Sequence, residues 1–239
     1  MSIPNQLKAI GKELRDAVNV LSFSKPVTHV YNPLDYAWNP YIQYLERHAQ
    51  GEKKVVFMGM NPGPFGMAQV GVPFGEIAAV RDWIGIDAPV GKPENEHPKR
   101  RVQGFACERS EVSGRRLWWS FADWFGKAEV FFKDHFVINY CPLVFMKATG
   151  ANLTPDKLAV NETAPLYQAC DKHLCQTIEL LNPDWLIGVG GFAEARALKT
   201  LEGSGVQVGR ILHPSPASPA ANRDWSGTAK KQLRALGVL

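Results

Sequence analysis

Four short apolar runs punctuate the chain: Val55–Met60 (VVFMGM), His135–Tyr140 (HFVINY), Asp184–Val189 (DWLIGV) and Val206–His213 (VQVGRILH). The first three are almost continuously apolar and rich in β-formers, the pattern of strands buried on both faces of a parallel sheet. Apolar positions recurring near every 3.6 residues predict helices over Arg115–Phe125 and Ala164–Leu181. A further helix is expected over Gly191–Leu201, opened by Gly190-Gly191, and a last one over Ser226–Leu236. Residues 1–50 are expected to pack as helices around the sheet. Strand alternating with helix argues a doubly wound α/β sandwich, one domain over residues 1–239. Between Asn61 and Gln103 lies a long Gly- and Pro-rich stretch, and a loop of that length in a compact domain is usually functional.

In open parallel sheets ligands bind beyond the carboxyl ends of the strands. The first run here ends in Asn61-Pro62-Gly63-Pro64, and the second holds Asn139 before Cys141-Pro142. The third ends in Gly190-Gly191 and the fourth in His213-Pro214-Ser215-Pro216. Polar or conformationally special residues are thus expected to converge on one sheet edge.

Composition narrows the class. The 239 residues are 45% hydrophobic and 21% charged, as a folded domain requires, and the net charge of +4 leans mildly towards anionic partners. The N-terminal stretch is amphipathic, without the apolar core of a secretion signal, and no run approaches the roughly 18 apolar residues of a membrane span. The expectation is a soluble protein that is not secreted, cytoplasmic in a bacterium or nuclear in a eukaryote, with monomer as the simple oligomeric state. Cys107, Cys141, Cys170 and Cys175 form no Cys-x-x-Cys pair, so neither a metal site nor another cofactor is expected. They read as reduced thiols, mostly small core residues.

Two segments carry candidate chemistry. Gly59–Gly75 (GMNPGPFGMAQVGVPFG) has five glycines and three prolines in 17 residues. Such a loop has fixed, unusual backbone geometry and presents main-chain groups to a flat ligand. It is neither a Walker phosphate loop nor a dinucleotide fingerprint. Asn61, the first polar side chain after the strand, can orient a water without being a strong base. Phe65 and Phe74 offer flat faces on which a base stacks. The plain alternative is a rigid structural loop with core phenylalanines. In His213–Trp225 (HPSPASPAANRDW) an imidazole follows a strand directly, placed to donate to negative charge developing on a leaving group. Its plain alternative is a histidine satisfied in the core. Residues Pro214–Asn222 are small and rigid enough to push into a DNA minor groove.

Together with SEVSGRR (Ser110–Arg116) and INYCPL (Ile138–Leu143), these segments resemble the single-strand-selective, SMUG-type branch of the uracil-DNA glycosylases. The resemblance implies a three-layer sandwich with a central four-stranded parallel sheet flanked by helices. It implies that Asn61 positions water, His213 stabilises the departing base, Asn139 reads the base and Phe74 stacks on it. Met60, Gly63, Phe65, Met67 and Gly71 would complete the base site. Ser215, Pro216, Ala217, Ser218, Asn222 and Arg223 would contact DNA. Stricter relatives carry a tyrosine where Gly63 stands, so tolerance of groups on pyrimidine C5, and of xanthine-like purines, is expected. Vertebrate relatives place an arginine where this chain has Ala217, which puts duplex penetration in question.

The expected activity is hydrolysis of the N-glycosidic bond of uracil and related bases in single- and double-stranded DNA. No lysine adjoins either motif, Lys147 being the nearest, so no Schiff-base lyase step is expected. Lys99, Arg100, Arg101, Arg115, Arg116, Arg210 and Arg223 are candidate strand-holding cations or simply a solvated surface. Two alternatives stay open: a non-catalytic single-stranded DNA-binding module, and a glycosylase whose main substrate is a deaminated purine.

Overall fold

The computed structural model describes residues 1–239. In chain order the elements are α1 (Ile3–Asn19), β1 (His29–Tyr31), α2 (Pro33–Tyr36), α3 (Trp38–His48), β2 (Val55–Gly59) and α4 (Met67–Val70). Then come α5 (Val112–Phe125), α6 (Ala128–Asp134), β3 (His135–Asn139), β4 (Val144–Met146), β5 (Asn152–Leu153) and α7 (Val160–Leu181). The chain closes with β6 (Trp185–Val189), α8 (Gly191–Thr200), β7 (Gln207–Ile211) and α9 (Pro219–Ala235).

The four anticipated strands form one parallel sheet in the order β3-β2-β6-β7, with helices flanking it. All five residues of central β2 are buried, which explains its unbroken apolar run. Phe57 faces α5 and α6: its ring lies 4.9 Å from Phe121, which stacks 4.6 Å from Phe131. On the other face Phe136 of β3 stacks 4.8 Å from Tyr44 of α3. The Tyr44 hydroxyl donates to the Val137 carbonyl at 2.8 Å and accepts from the Val137 amide at 3.3 Å, so the outer edge of β3 is not left open.

Register fixes the site. Gly59 pairs with Asn139, and Val189 with Ile211, so all four strands end on one edge. Beyond it follow Asn61, Tyr140, Gly190 and His213.

Three features depart from the sequence expectation. A second, antiparallel sheet, β1-β4-β5, adds short strands of three, three and two residues, too short for a period-2 pattern to register. The stretch after Asn61 is not one open loop, because α4 and a π-helical turn at Ala79–Ile84 lie within it. The final helix begins at Pro219, seven residues before the expected start, but is broken at Asp224. There Asp224 Oδ1 accepts the Gly227 amide at 2.8 Å and caps a second helical stretch. Cys107, Cys141 and Cys170 are buried, whereas Cys175 is exposed. No helix is long and apolar enough to cross a membrane.

Candidate active site

At the carboxyl edge of the sheet lies a cavity of about 440 Å³, within the range of small-molecule sites. Asn61 and His213 both line it, as do Met60, Gly63, Met67, Phe74 and Asn139. Ser215 and Pro216 form the wall contributed by the second loop.

Asn61 is oriented by its own amide. Nδ2 donates to the Leu143 carbonyl at 3.0 Å, just before β4, which leaves Oδ1 as the group that can accept from water. Asn139 donates through Nδ2 to the Met67 sulfur at 3.3 Å. Thioether sulfur is a weak acceptor, so the second Nδ2 hydrogen and Oδ1 remain for a ligand.

Phe74 has φ of +54°, a left-handed conformation that strains a bulky residue. Its surroundings hold it there. The Gly114 backbone packs against the Phe74 carbonyl so closely that a Cβ at 114 would lie 1.9 Å from that oxygen. The Trp118 indole donates to the Pro73 carbonyl at 3.2 Å. Gly59 is equally constrained: a Cβ there would meet Asn139 Oδ1 and the Phe74 ring, each at 2.5 Å. One glycine therefore lets the amide and the ring share a wall.

His213 is held from both sides. The preceding Leu212 donates its amide to Gln232 Oε1 at 2.8 Å, and its carbonyl accepts from the Trp225 indole at 2.7 Å. Both partners lie on α9. The His213 Nδ1 accepts the Ser215 amide at 3.1 Å. A backbone N–H can only donate, so Nδ1 is unprotonated and the ring proton sits on Nε2. Burial lowers the His213 pKa, which favours this neutral form. The result is a fixed N–H donor, with the ring centre 6.2 Å from that of Phe74.

The loop that follows is tied down by Arg116 of α5. Its guanidinium donates to the carbonyls of Pro214 at 3.0 Å and Ser215 at 3.3 Å, and to Asn222 Oδ1 at 2.8 Å. Asn222 Nδ2 in turn reaches the Pro216 carbonyl at 2.9 Å. The side chains of Asn222, expected to contact DNA, and of Arg116, a candidate strand-holding cation or solvated surface residue, are thus engaged in shaping the loop. Ser218 caps α9 by accepting the Ala221 amide at 3.3 Å. Pro216, Ala217 and Arg223 are exposed.

Two expected lining residues lie elsewhere. Gly71 is buried with φ of +69° as the cap of α4, and a Cβ on it would strike the Ala37 carbonyl at 2.5 Å. Its role is to close that turn against Ala37 and Pro40, away from the cavity. Phe65 is also absent from the lining, with its ring covered by Arg109 and Arg100.

Conversely, Glu111, Ser113, Asn152 and Thr154 line the cavity without having been anticipated. Asn152 and Thr154 arrive through the small second sheet, which the sequence did not reveal. Glu111 lay inside SEVSGRR, where a carboxylate just before a helix signals a cap. It accepts the amides of Ser113, at 3.1 Å, and Gly114. Burial raises its pKa, and those two amides oppose the rise. The only carboxylate in the wall is therefore committed to the helix terminus. Lys147 is not in the wall.

Residues 46–236 match the sequence profile of the uracil DNA glycosylase superfamily. The chain belongs to that superfamily. Relatives within it include the single-strand selective monofunctional uracil DNA glycosylase of Bos taurus, 49% identical over 95% of this chain and 84% of that one. The namesake from Mus musculus is also 49% identical, over 95% and 82%. This superfamily member thus falls with the single-strand-selective branch. Among solved structures, wild-type Pedobacter heparinus SMUG2 superposes with a TM-score of 0.70 over 99% of this chain and 97% of that one. At 16% identity that likeness is one of fold.

Proposed function

We propose that the protein is a monofunctional DNA glycosylase that removes uracil and C5-substituted uracils, leaving an abasic site. The observation that carries this reading is an amide placed to orient water and a neutral imidazole N–H donor lining one cavity with room for a base. The relatives named as uracil DNA glycosylases support it.

Breaking the bond between sugar C1′ and base N1 builds positive charge on the sugar and negative charge on the base. The anion spreads over O2 and O4. His213 Nε2–H meets that charge most strongly in the transition state, which is the interaction that accelerates a reaction. A neutral donor suffices and keeps its proton, so the base departs as an anion and is protonated by solvent. Water held by Asn61 Oδ1 adds to C1′ and loses its proton to solvent. The sugar is already cationic, so no strong base is required; an aspartate at position 61 would be expected to act faster. Asn139 pairs with O4 and N3–H through its donor and acceptor, and Phe74 stacks on the ring. The target nucleotide must leave the stack to enter, which costs less in a single strand or a mismatch.

Gly63 favours a broader substrate range. A Cβ at this position meets nothing within 4 Å, so the wall is open there. Hydroxymethyl on C5 fits this reading, and so does a xanthine-like purine as a secondary substrate. The test is a panel of labelled oligonucleotides, single- and double-stranded, carrying uracil, 5-hydroxymethyluracil, xanthine or hypoxanthine. Release of free uracil and hydroxymethyluracil with an intact abasic strand is expected. Binding without release would favour a non-catalytic DNA-binding module. Dominant purine release would favour the deaminated-purine alternative, and β-elimination products would contradict the monofunctional assignment.

A further inference from the structure

Phe65 stands just outside the cavity, between Pro64 and Gly66, which are both in its wall. Two guanidinium groups lie over its ring: Arg109 Cζ is 4.0 Å from the ring centre and Arg100 Cζ 5.3 Å. Neither arginine has an ion-pair partner. The Arg109 side chain makes no hydrogen bond, although its carbonyl accepts from the Cys107 thiol. Arg100 donates from Nη1 to the Lys99 carbonyl at 2.8 Å, while its Nε is buried without an acceptor. Lys99 and Arg101 are exposed alongside, and Glu108, next to Arg109, is exposed and unpaired.

Two cations brought to one ring repel each other, and that repulsion is relieved when an anion sits between them. A guanidinium lying on an aromatic face can keep in-plane N–H groups free for oxygen acceptors: Arg109 offers its whole fork, which suits phosphate, and Arg100, with Nε buried and Nη1 engaged, offers Nη2. We propose that Arg100 and Arg109, moored on Phe65, form a backbone-phosphate clamp for the single DNA strand at the mouth of the cavity. The proposal rests on the glycosylase reading for the nature of the strand. It gives Phe65 a function at the rim in place of stacking on the target base.

Each phosphate neutralised on a single strand contributes about 0.7 to the slope of log affinity against log salt. Two such contacts amount to about a sevenfold loss of affinity between 50 and 200 mM salt. The experiment measures binding of a single-stranded oligonucleotide with an uncleavable uracil analogue, across that range. Wild type, R109Q, R109K and the double variant R100Q/R109Q are compared. The double variant is expected to lose that sevenfold salt sensitivity. R109Q, which breaks no hydrogen bond, is expected to lose between two- and threefold, and R109K to retain it. Wild-type salt dependence in the glutamine variants, or R109K behaving as R109Q does, overturns the clamp. Uracil release by wild type on the cleavable counterpart is measured in parallel. Its absence would sink the glycosylase reading, whereas release with an unaltered salt slope in the variants would sink the clamp alone.

Discussion

The two loops that build the cavity are fixed with different emphasis. The first, Gly59–Gly75, combines close backbone packing (Gly59 against Asn139 and Phe74, Gly71 against Ala37, Gly114 against the strained Phe74) with polar ties, Gln69 Nε2 donating to the Pro64 carbonyl at 2.9 Å and Asn61 Nδ2 to the Leu143 carbonyl at 3.0 Å. The second, His213–Ser218, is set by side chains reaching in from two helices. Arg116 comes from α5, and Trp225, Gln232 and Asn222 come from α9. A loop fixed by close packing is insensitive to surface chemistry and intolerant of added volume. One fixed by polar contacts tolerates volume and fails when a donor is removed. The position of Phe74 therefore rests chiefly on shape, that of Asn61 on shape and a hydrogen bond, and that of His213 on a hydrogen-bond network.

Substitutions at the polar tips test what each loop delivers. Loss of one preorganised donor to a developing anion typically lowers kcat about 10²–10³-fold. His213→Ala is expected to show that loss in single-turnover excision, with affinity for an uncleavable oligonucleotide little changed. Asn61→Ala is expected to lose about 10²-fold, the scale associated with misplacing a reacting group. Equal excision by either variant and wild type would remove that residue from the mechanism.

Substitutions behind the tips separate the two modes of support. Gly59→Ala adds one methyl where no space exists, and overpacking of this kind costs about 1–3 kcal/mol. It should lower the melting temperature and weaken base binding, visible as a raised KM. Arg116→Ala removes three hydrogen bonds from a partly exposed guanidinium. Excision should fall about tenfold, a loss near the 1.5 kcal/mol lower range for a charged hydrogen bond, with little thermal destabilisation. Arg116→Lys should not restore it, because an ammonium lacks the planar fork that spans the three acceptors. If Gly59→Ala were silent and Arg116→Ala unfolded the protein, the contrast between the loops would be reversed.

The smallest effect at neutral pH is titration. Burial lowers the His213 pKa below the ordinary 6.5, so activity should fall at a more acid pH than the titration of an ordinary histidine would give. His48 and His173 are pushed down to about 4 by burial. A histidine that resists protonation when folded makes the unfolded chain the better proton acceptor, so stability falls as pH drops from 6.5 towards 4. Above 6.5 these groups contribute no pH dependence. Thermal melts across pH 4–8 would check the window, and a melting temperature flat to pH 4 would contradict it.

The contrast also explains what the sequence disclosed. The parallel strands were legible because each is a buried apolar run with special residues at its carboxyl end; Val55–Gly59 and His135–Asn139 differ from expectation by one residue each. The polar residues at strand ends fell on one edge for the same reason. Hidden were features that depend on distant packing. β4 and β5 are too short to pattern, so Asn152 and Thr154 went unforeseen. Gly71 looked like a ligand-facing glycine because its motif is shared with residues that do face the cavity, yet its positive φ serves a turn. Trp225 and Gln232 sit 12 and 19 residues beyond His213 and meet Leu212 only because α9 folds back. No local pattern marks such a return.

The tautomer of His213 tests the account most directly, since fixing the second loop matters only if it presents an Nε2 proton to the base. Nitrogen-15 NMR of histidine-labelled protein at pH 7 should find Nδ1 unprotonated and Nε2 protonated. The Nε2–H signal should shift when an uncleavable uracil-containing strand binds. A proton on Nδ1, an imidazolium, or a His213 ring indifferent to the bound uracil would contradict it.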